Sequence, residues 1–169
     1  MKKMKLASIS ILSILLFLIS CNKDDEKSNP PLAENYFLTA KIDGVDFTAD
    51  ASSLVSFGAD GTGFFNIKGI SSSGDFIAIT LISPTATGTF TMSNDINNTA
   101  PRSTYSIPSG DNWSTHVLQG TEIIGSGTVT VAANNDTYME GTFSFTGYNP
   151  LDNFSPKVIT EGKFKAKKL

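Results

Sequence analysis

The chain of 169 residues holds one cysteine, one histidine and one tryptophan, with Arg102 as its single arginine, and each scarcity closes a class of function. A lone histidine, His116, excludes metal sites built on several imidazoles and leaves any serine triad with one candidate base. Ser126 sits in Gly-Ser-Gly, not in the Gly-x-Ser-x-Gly turn that exposes a nucleophile. A lone cysteine forms no internal disulfide, so the fold is stabilised by its core alone. No Asp-x-Asp-x-Asp run is present, and Asp43, Asp46 and Asp60 before Gly61 read as turn chemistry, so neither a metal nor a cofactor is expected. The formal charge is −3 and no basic face is evident, which argues against a nucleic-acid partner. Nor is there an apolar run of the roughly 20 residues that a spanning helix needs.

What the N-terminus does hold is an address. Lys2, Lys3 and Lys5 precede a short apolar run, LASISILSILLFLIS (Leu6 to Ser20), which has the makeup of a secretory signal over residues 1–20. Leu18, Ile19 and Ser20 lead directly into Cys21, a sequence that resembles a bacterial lipobox. The resemblance implies a diacylglycerol on the Cys21 thiol, cleavage before it and acylation of the new amino terminus. Three acyl chains exceed the roughly two membrane signals that stable anchoring takes. Lys23, Asp24, Asp25 and Glu26 resemble the export tag of surface lipoproteins of the Bacteroidota, which implies an outer-membrane location facing the cell exterior. Residues 21–35 read as a lipidated cysteine and a flexible tether, stiffened near its end by Pro30 and Pro31. Loss of Lys2, Lys3 and Lys5 lowers the basic count from 13 to 10 against 16 acids, a mature charge of about −6.

Residues 36–169 show period-two alternation almost throughout and no long amphipathic helix. YFLTAKI (Tyr36 to Ile42) and VDFTA (Val45 to Ala49) flank Asp43-Gly44, the pair that a type I′ hairpin turn favours. GFFNIKGI (Gly63 to Ile70) and DFIAITLIS (Asp75 to Ser83) flank a serine and glycine turn, and the second of these is apolar enough for a central strand covered on both faces. TGTFTM (Thr87 to Met92), STYSI (Ser103 to Ile107), STHVL (Ser114 to Leu118), GTVTVAA (Gly127 to Ala133), TYMEGTFSFTGY (Thr137 to Tyr148) and VITEGKFKAK (Val158 to Lys167) follow. Abundant Thr, Val, Ile and Phe suit pleated, half-buried surfaces. The expectation is an all-β domain, a single antiparallel β-sandwich or closed barrel of about nine to ten strands.

Glycine opens a recurring motif in Gly88-Thr89-Phe90, Gly127-Thr128-Val129, Gly141-Thr142-Phe143 and Gly162-Lys163-Phe164. It reads as strand entry: glycine at a bend or bulge, a polar residue facing out, an apolar one facing the core. The hairpin AKIDGVDFTA, the pair GTVTVAANNDTYMEGTFSFTGYN and the closing VITEGKF together resemble a family of short Bacteroidota lipoproteins whose domain has no assigned function. The resemblance implies an all-β lipoprotein and carries over no catalytic residue.

Three functions fit these residues. The first is a non-catalytic surface module for binding or adhesion, with a glycan or a protein as ligand. Its candidate site is the irregular stretch from Ser93 to Trp113, where Tyr105 and Trp113 can stack on sugar rings while Asp111 and Asn112 bond the hydroxyls; loops on a rigid scaffold are where binding residues concentrate. The opposing reading is that Trp113 plugs the core. The second is a lipocalin-like carrier of a small apolar ligand, whose phenylalanines line an enclosed cavity. The third is a small glycoside hydrolase using Glu140 and Glu161, which requires the two carboxylates about 5 to 9.5 Å apart. A purely structural envelope role accompanies the first. Lys163, Lys165, Lys167 and Lys168 read as the guard of an edge strand, with an anionic-lipid or glycan contact as the alternative.

Overall fold

The computed structural model describes residues 36–50, 55–58 (backbone only), 63–82, 87–92 and 100–168. Cys21 and the Lys23, Asp24, Asp25 and Glu26 tag lie outside these residues. Thirteen strands are described: β1 (Phe37–Ile42), β2 (Val45–Thr48), β3 (Val55–Gly58), β4 (Phe64–Ile70), β5 (Phe76–Ile82), β6 (Gly88–Met92), β7 (Arg102–Ser106), β8 (Asn112–Ser114), β9 (Val117–Gln119), β10 (Glu122–Ile124), β11 (Ser126–Asn134), β12 (Tyr138–Asn149) and β13 (Ser155–Lys167). The excess over nine to ten comes from three- and four-residue strands, too short to show alternation. STHVL is split: β8 ends at Ser114 and β9 starts at Val117, because Ser103 N–H donates to the Thr115 hydroxyl at 2.9 Å in place of its carbonyl, although Thr115 N–H still bonds Ser103 O.

Eleven strands form one antiparallel sheet in the order β2-β1-β13-β12-β8-β7-β5-β4-β3, with β11 and β6 branching from β12; β9 and β10 make a separate hairpin. The fork has a simple cause. β12 is 12 residues long, and it pairs with β11 over most of its length and with β8 only near its end, at Tyr148. The sheet curls strongly, so that Asp50 N bonds Ile70 O at 2.8 Å and the Lys168 ammonium lies 5.9 Å from the Phe65 ring centroid, joining its two wings.

The inner face is the core: Leu38, Ile67, Ile77, Ile79, Leu81, Val129, Met139, Ile159 and Phe164 are all at 0–1% exposure. β5 is central, as its composition implies, yet its burial alternates, so one face is covered and the other half-covered. Asp43 and Gly44 both take positive φ, 49° and 84°, as the type I′ turn between Ile42 and Val45 demands. In the recurring motif the polar residue does face out and the apolar one in. Only Gly88 opens its strand, however; Gly127, Gly141 and Gly162 lie within theirs. A Cβ on Gly162 would lie 2.6 Å from the Phe143 ring and one on Gly127 2.5 Å from Phe145 Cβ, so these glycines leave room for aromatic packing across the strands.

β13 lies between β1 and β12, so Lys163 and Lys165, opposite Thr39 and Phe37, guard no edge. Its alternation buries Phe164 and Ala166 and turns Lys163, Lys165 and Lys167 to the outer face.

Candidate functional site

The turns Asp43-Gly44, Ser71–Gly74, Pro108–Gly110 and Pro150–Phe154 gather at one pole, because Ile42 pairs Ile159, Ile70 pairs Phe76, Phe76 pairs Ser106 and Asn149 pairs Ser155. The chain enters β1 at the other pole, where Phe37 pairs Lys165. All four residues of the expected aromatic platform lie at or near the turn pole, and the structure does bring them together. Tyr105 on β7 stacks on Trp113 of β8 with centroids 5.7 Å apart and planes at 28°. Both rings are 7% exposed, which corrects the expected exposed platform: their faces are covered and open to no sugar.

The polar atoms there are committed to one another. Trp113 Nε1 donates to Ser155 Oγ at 3.3 Å, Asn112 Nδ2 to Ser106 Oγ at 3.0 Å, and Asp111 accepts from Ser109 Oγ at 2.9 Å and Asn149 Nδ2 at 3.4 Å. Lys157 Nζ sits 5.7 Å from the Trp113 ring centroid and donates to Asp43 Oδ2 at 2.7 Å, while Asp43 Oδ1 accepts the Val158 N–H at 2.9 Å. The Lys157 hydrogen bond, then that of Val158, hold the Asp43 carboxyl below its ordinary range. Burial, followed by the negative charges of Asp75 and Asp43, pushes the Tyr105 phenol up. This cluster ties the turns to one another; it is the core plug that the sequence also allowed.

The other candidates fare similarly. β12 and β13 pair, but in a register that sets Glu140 opposite Lys165 and leaves Glu161 four residues away along β13, about 13 Å at strand rise, where it bonds Lys41 Nζ at 2.9 Å. That arrangement lacks the close carboxylate pair of a glycosidase. The rings of Phe143, Phe145 and Phe164 pack at 6.4 Å centroid spacing and fill the core, where a carrier would have them line a cavity.

A different surface does offer a site. A shallow, open trough of ≈ 450 Å³ runs over the outer face where β6, β11, β12 and β13 meet, lined by Thr91, Ser126, Thr128, Ser144, Thr146 and Thr160 with Val158 beside them. The pairing registers explain it. Thr91 pairs Thr128 and Thr128 pairs Ser144, giving one row of hydroxyls; Ser126 pairs Thr146 and Thr146 pairs Val158, giving the next. A third row, Thr89, Thr130 and Thr142, continues across β13 through Lys163 to Thr39 and Thr48. Neighbours lie about 4.8 Å apart across strands and roughly 6.6 Å apart along them. Thr89 and Thr130 bond each other at 2.9 Å. Among the described residues no side-chain hydrogen bond engages Thr91, Thr128, Ser144 or Thr160.

The trough is concave because irregularities in the β12–β13 and β11–β12 registers, at Phe143/Phe145 and Val131/Ala133, bend the long strands. Most of its exposed surface is carbon, from the threonine methyls, Val158 and neighbouring strand atoms, and the hydroxyls set into it donate and accept; together these can hold a hydroxylated ligand without ionic contacts. The signal for it was present in the sequence as Thr-x-Thr at Thr89–Thr91 and Thr128–Thr130 and as Thr-x-Ser-x-Thr at Thr142–Thr146. Only the strand registers show that these pairs are neighbours.

No curated protein and no solved structure matches the chain. Residues 34–166 match the model of a family described as "Domain of unknown function (DUF6252)", and the chain belongs to that family.

Proposed function

We propose that the protein is a non-catalytic glycan-binding module, held by lipid on Cys21 at the outer membrane and facing the cell exterior, and that the trough over β6, β11, β12 and β13 is its binding site. The observation that carries the reading is the coincidence of the ≈ 450 Å³ trough with rows of side-chain hydroxyls that have no partner among the described residues. Sugar hydroxyls match such rows in donors and acceptors, and the methyls of Thr91, Thr128 and Thr160 can meet the C–H faces of the rings. Attachment at the N-terminal side is compatible with this site, since the 14 residues between Cys21 and Tyr36 can span up to about 50 Å.

The test is retention of the full-length protein, extracted in detergent, on a panel of neutral and acidic polysaccharides by affinity electrophoresis. At least one polymer should retard it, and Thr128→Val with Ser144→Ala should abolish the retardation while the unfolding midpoint stays put. Retention unaffected by those two substitutions would overturn the site. Metabolic labelling with a fatty acid should mark the wild type and not Cys21→Ser, and protease treatment of intact cells should remove the domain.

A further inference from the structure

The outer face of β13 changes character along its length. Val158 and Thr160 belong to the trough; beyond them come the exposed Glu161, bonded to Lys41, and then the outward Lys163, Lys165 and Lys167. We propose that the ligand of this face is an acidic polysaccharide, whose neutral hydroxyls lie in the trough and whose carboxylates meet Lys163 and Lys167. The inference rests on the trough being the binding site and deepens it by naming the class of glycan.

Two observations carry it. Lys163 and Lys165 are flanked by both β1 and β12, so edge protection does not explain them. The lysines are also treated differently from those elsewhere on the same sheet. Lys41 and Lys157 each hold a carboxylate, at 2.9 and 2.7 Å, and Lys165 lies over the Tyr138 ring at 4.1 Å with Glu140 opposite it. Lys163 and Lys167 have no carboxylate partner among the described residues. Lys163 stands between Thr142 and Thr39, one cation inside a row otherwise made of threonines.

The net charge restricts where such a ligand can be held. With 16 acids against 13 bases in the chain, a polyanion is repelled by the protein as a whole. Attraction has to be local, and unpaired cations in line with the trough supply it where an extended ligand would pass. From Thr160 to Lys167 is seven residues, about 23 Å at strand rise, enough for several sugar units. Lysine suits such a ligand, because an ammonium is a compact charge with three donors and needs no bidentate geometry from a carboxylate that varies in orientation along a polymer.

The experiment compares retention of the full-length protein in detergent on polygalacturonate, on alginate, and on polygalacturonate whose carboxylates are methyl-esterified. Wild type should bind at least one polyuronate tenfold or more tightly than the ester. Lys163→Gln with Lys167→Gln should remove that preference and leave binding to the ester unchanged, while the charge-matched control, Lys68→Gln with Lys157→Gln, should keep it. Equal affinity for the acid and its ester, or an equal loss in the control pair, overturns the inference and leaves the trough standing. If neither polyuronate nor any neutral polymer is retained, the trough reading itself falls.

Discussion

The turn pole around Trp113 and the outer face around Thr128 hold many of the same polar groups, yet they stand in opposite relation to the rest of the molecule. At the pole, the single tryptophan and the polar residues around it are bonded to one another: the indole to Ser155, Asn112 to Ser106, Asp111 to Asn149, Lys157 to Asp43. On the face, common residues repeat in register and four of their hydroxyls bond nothing else described. The lesson is that rarity in a sequence marks where a fold is tied together as readily as where it binds. A ligand needs groups that the fold has left unused, and those are found by following hydrogen bonds outward from each strand.

Substitutions should separate the two regions by their effect on stability. Trp113→Ala removes a ring that is 7% exposed and stacked on Tyr105, and should lower the stability by about 3 to 5 kcal/mol, read from the urea midpoint. The same burial predicts that Trp113 emission is blue-shifted and resists acrylamide. Gly162→Ala tests the packing account of the recurring glycine. Its new Cβ would lie 2.6 Å from the Phe143 ring, and overpacking of this kind costs about 1 to 3 kcal/mol.

Asp43→Asn should have a smaller effect and a telling pH dependence. The pair with Lys157 is part-exposed, and such pairs contribute about 0.2 to 1 kcal/mol. Because the folded carboxyl titrates below its ordinary value, its contribution is complete above about pH 4 and is lost as the pH falls through the folded value. The midpoint difference between wild type and Asp43→Asn should therefore be present at pH 7 and shrink below pH 4. A difference that grows on acidification would contradict the assignment. Smallest of all, Thr128→Val and Thr160→Val should each shift stability by no more than about 0.5 kcal/mol, since neither hydroxyl bonds within the described protein.

Much of the fold was legible. Alternation located the long strands, and Asp43-Gly44 located its hairpin, because both signals are local and period two is direct evidence of a pleated face. What could not be read was pairing. The role of the β13 lysines depends on which strands flank β13, and the fate of Glu140 and Glu161 depends on a register shifted by a bulge. The short strands β8, β9 and β10 lie below the length at which alternation shows. The site was missed for a related reason. Thr-x-Thr reads as an ordinary outward strand face, and its meaning comes only when four such strands are laid side by side.

The two regions can be set against each other in a single binding experiment. Affinity electrophoresis of the full-length protein would place Thr128→Val with Ser144→Ala beside Trp113→Phe, which keeps an aromatic ring in the core. If the outer face is the binding surface, the threonine and serine pair loses retention at unchanged stability and Trp113→Phe binds as wild type does. Retention that survives in the pair and vanishes with Trp113→Phe would return the site to the turn pole.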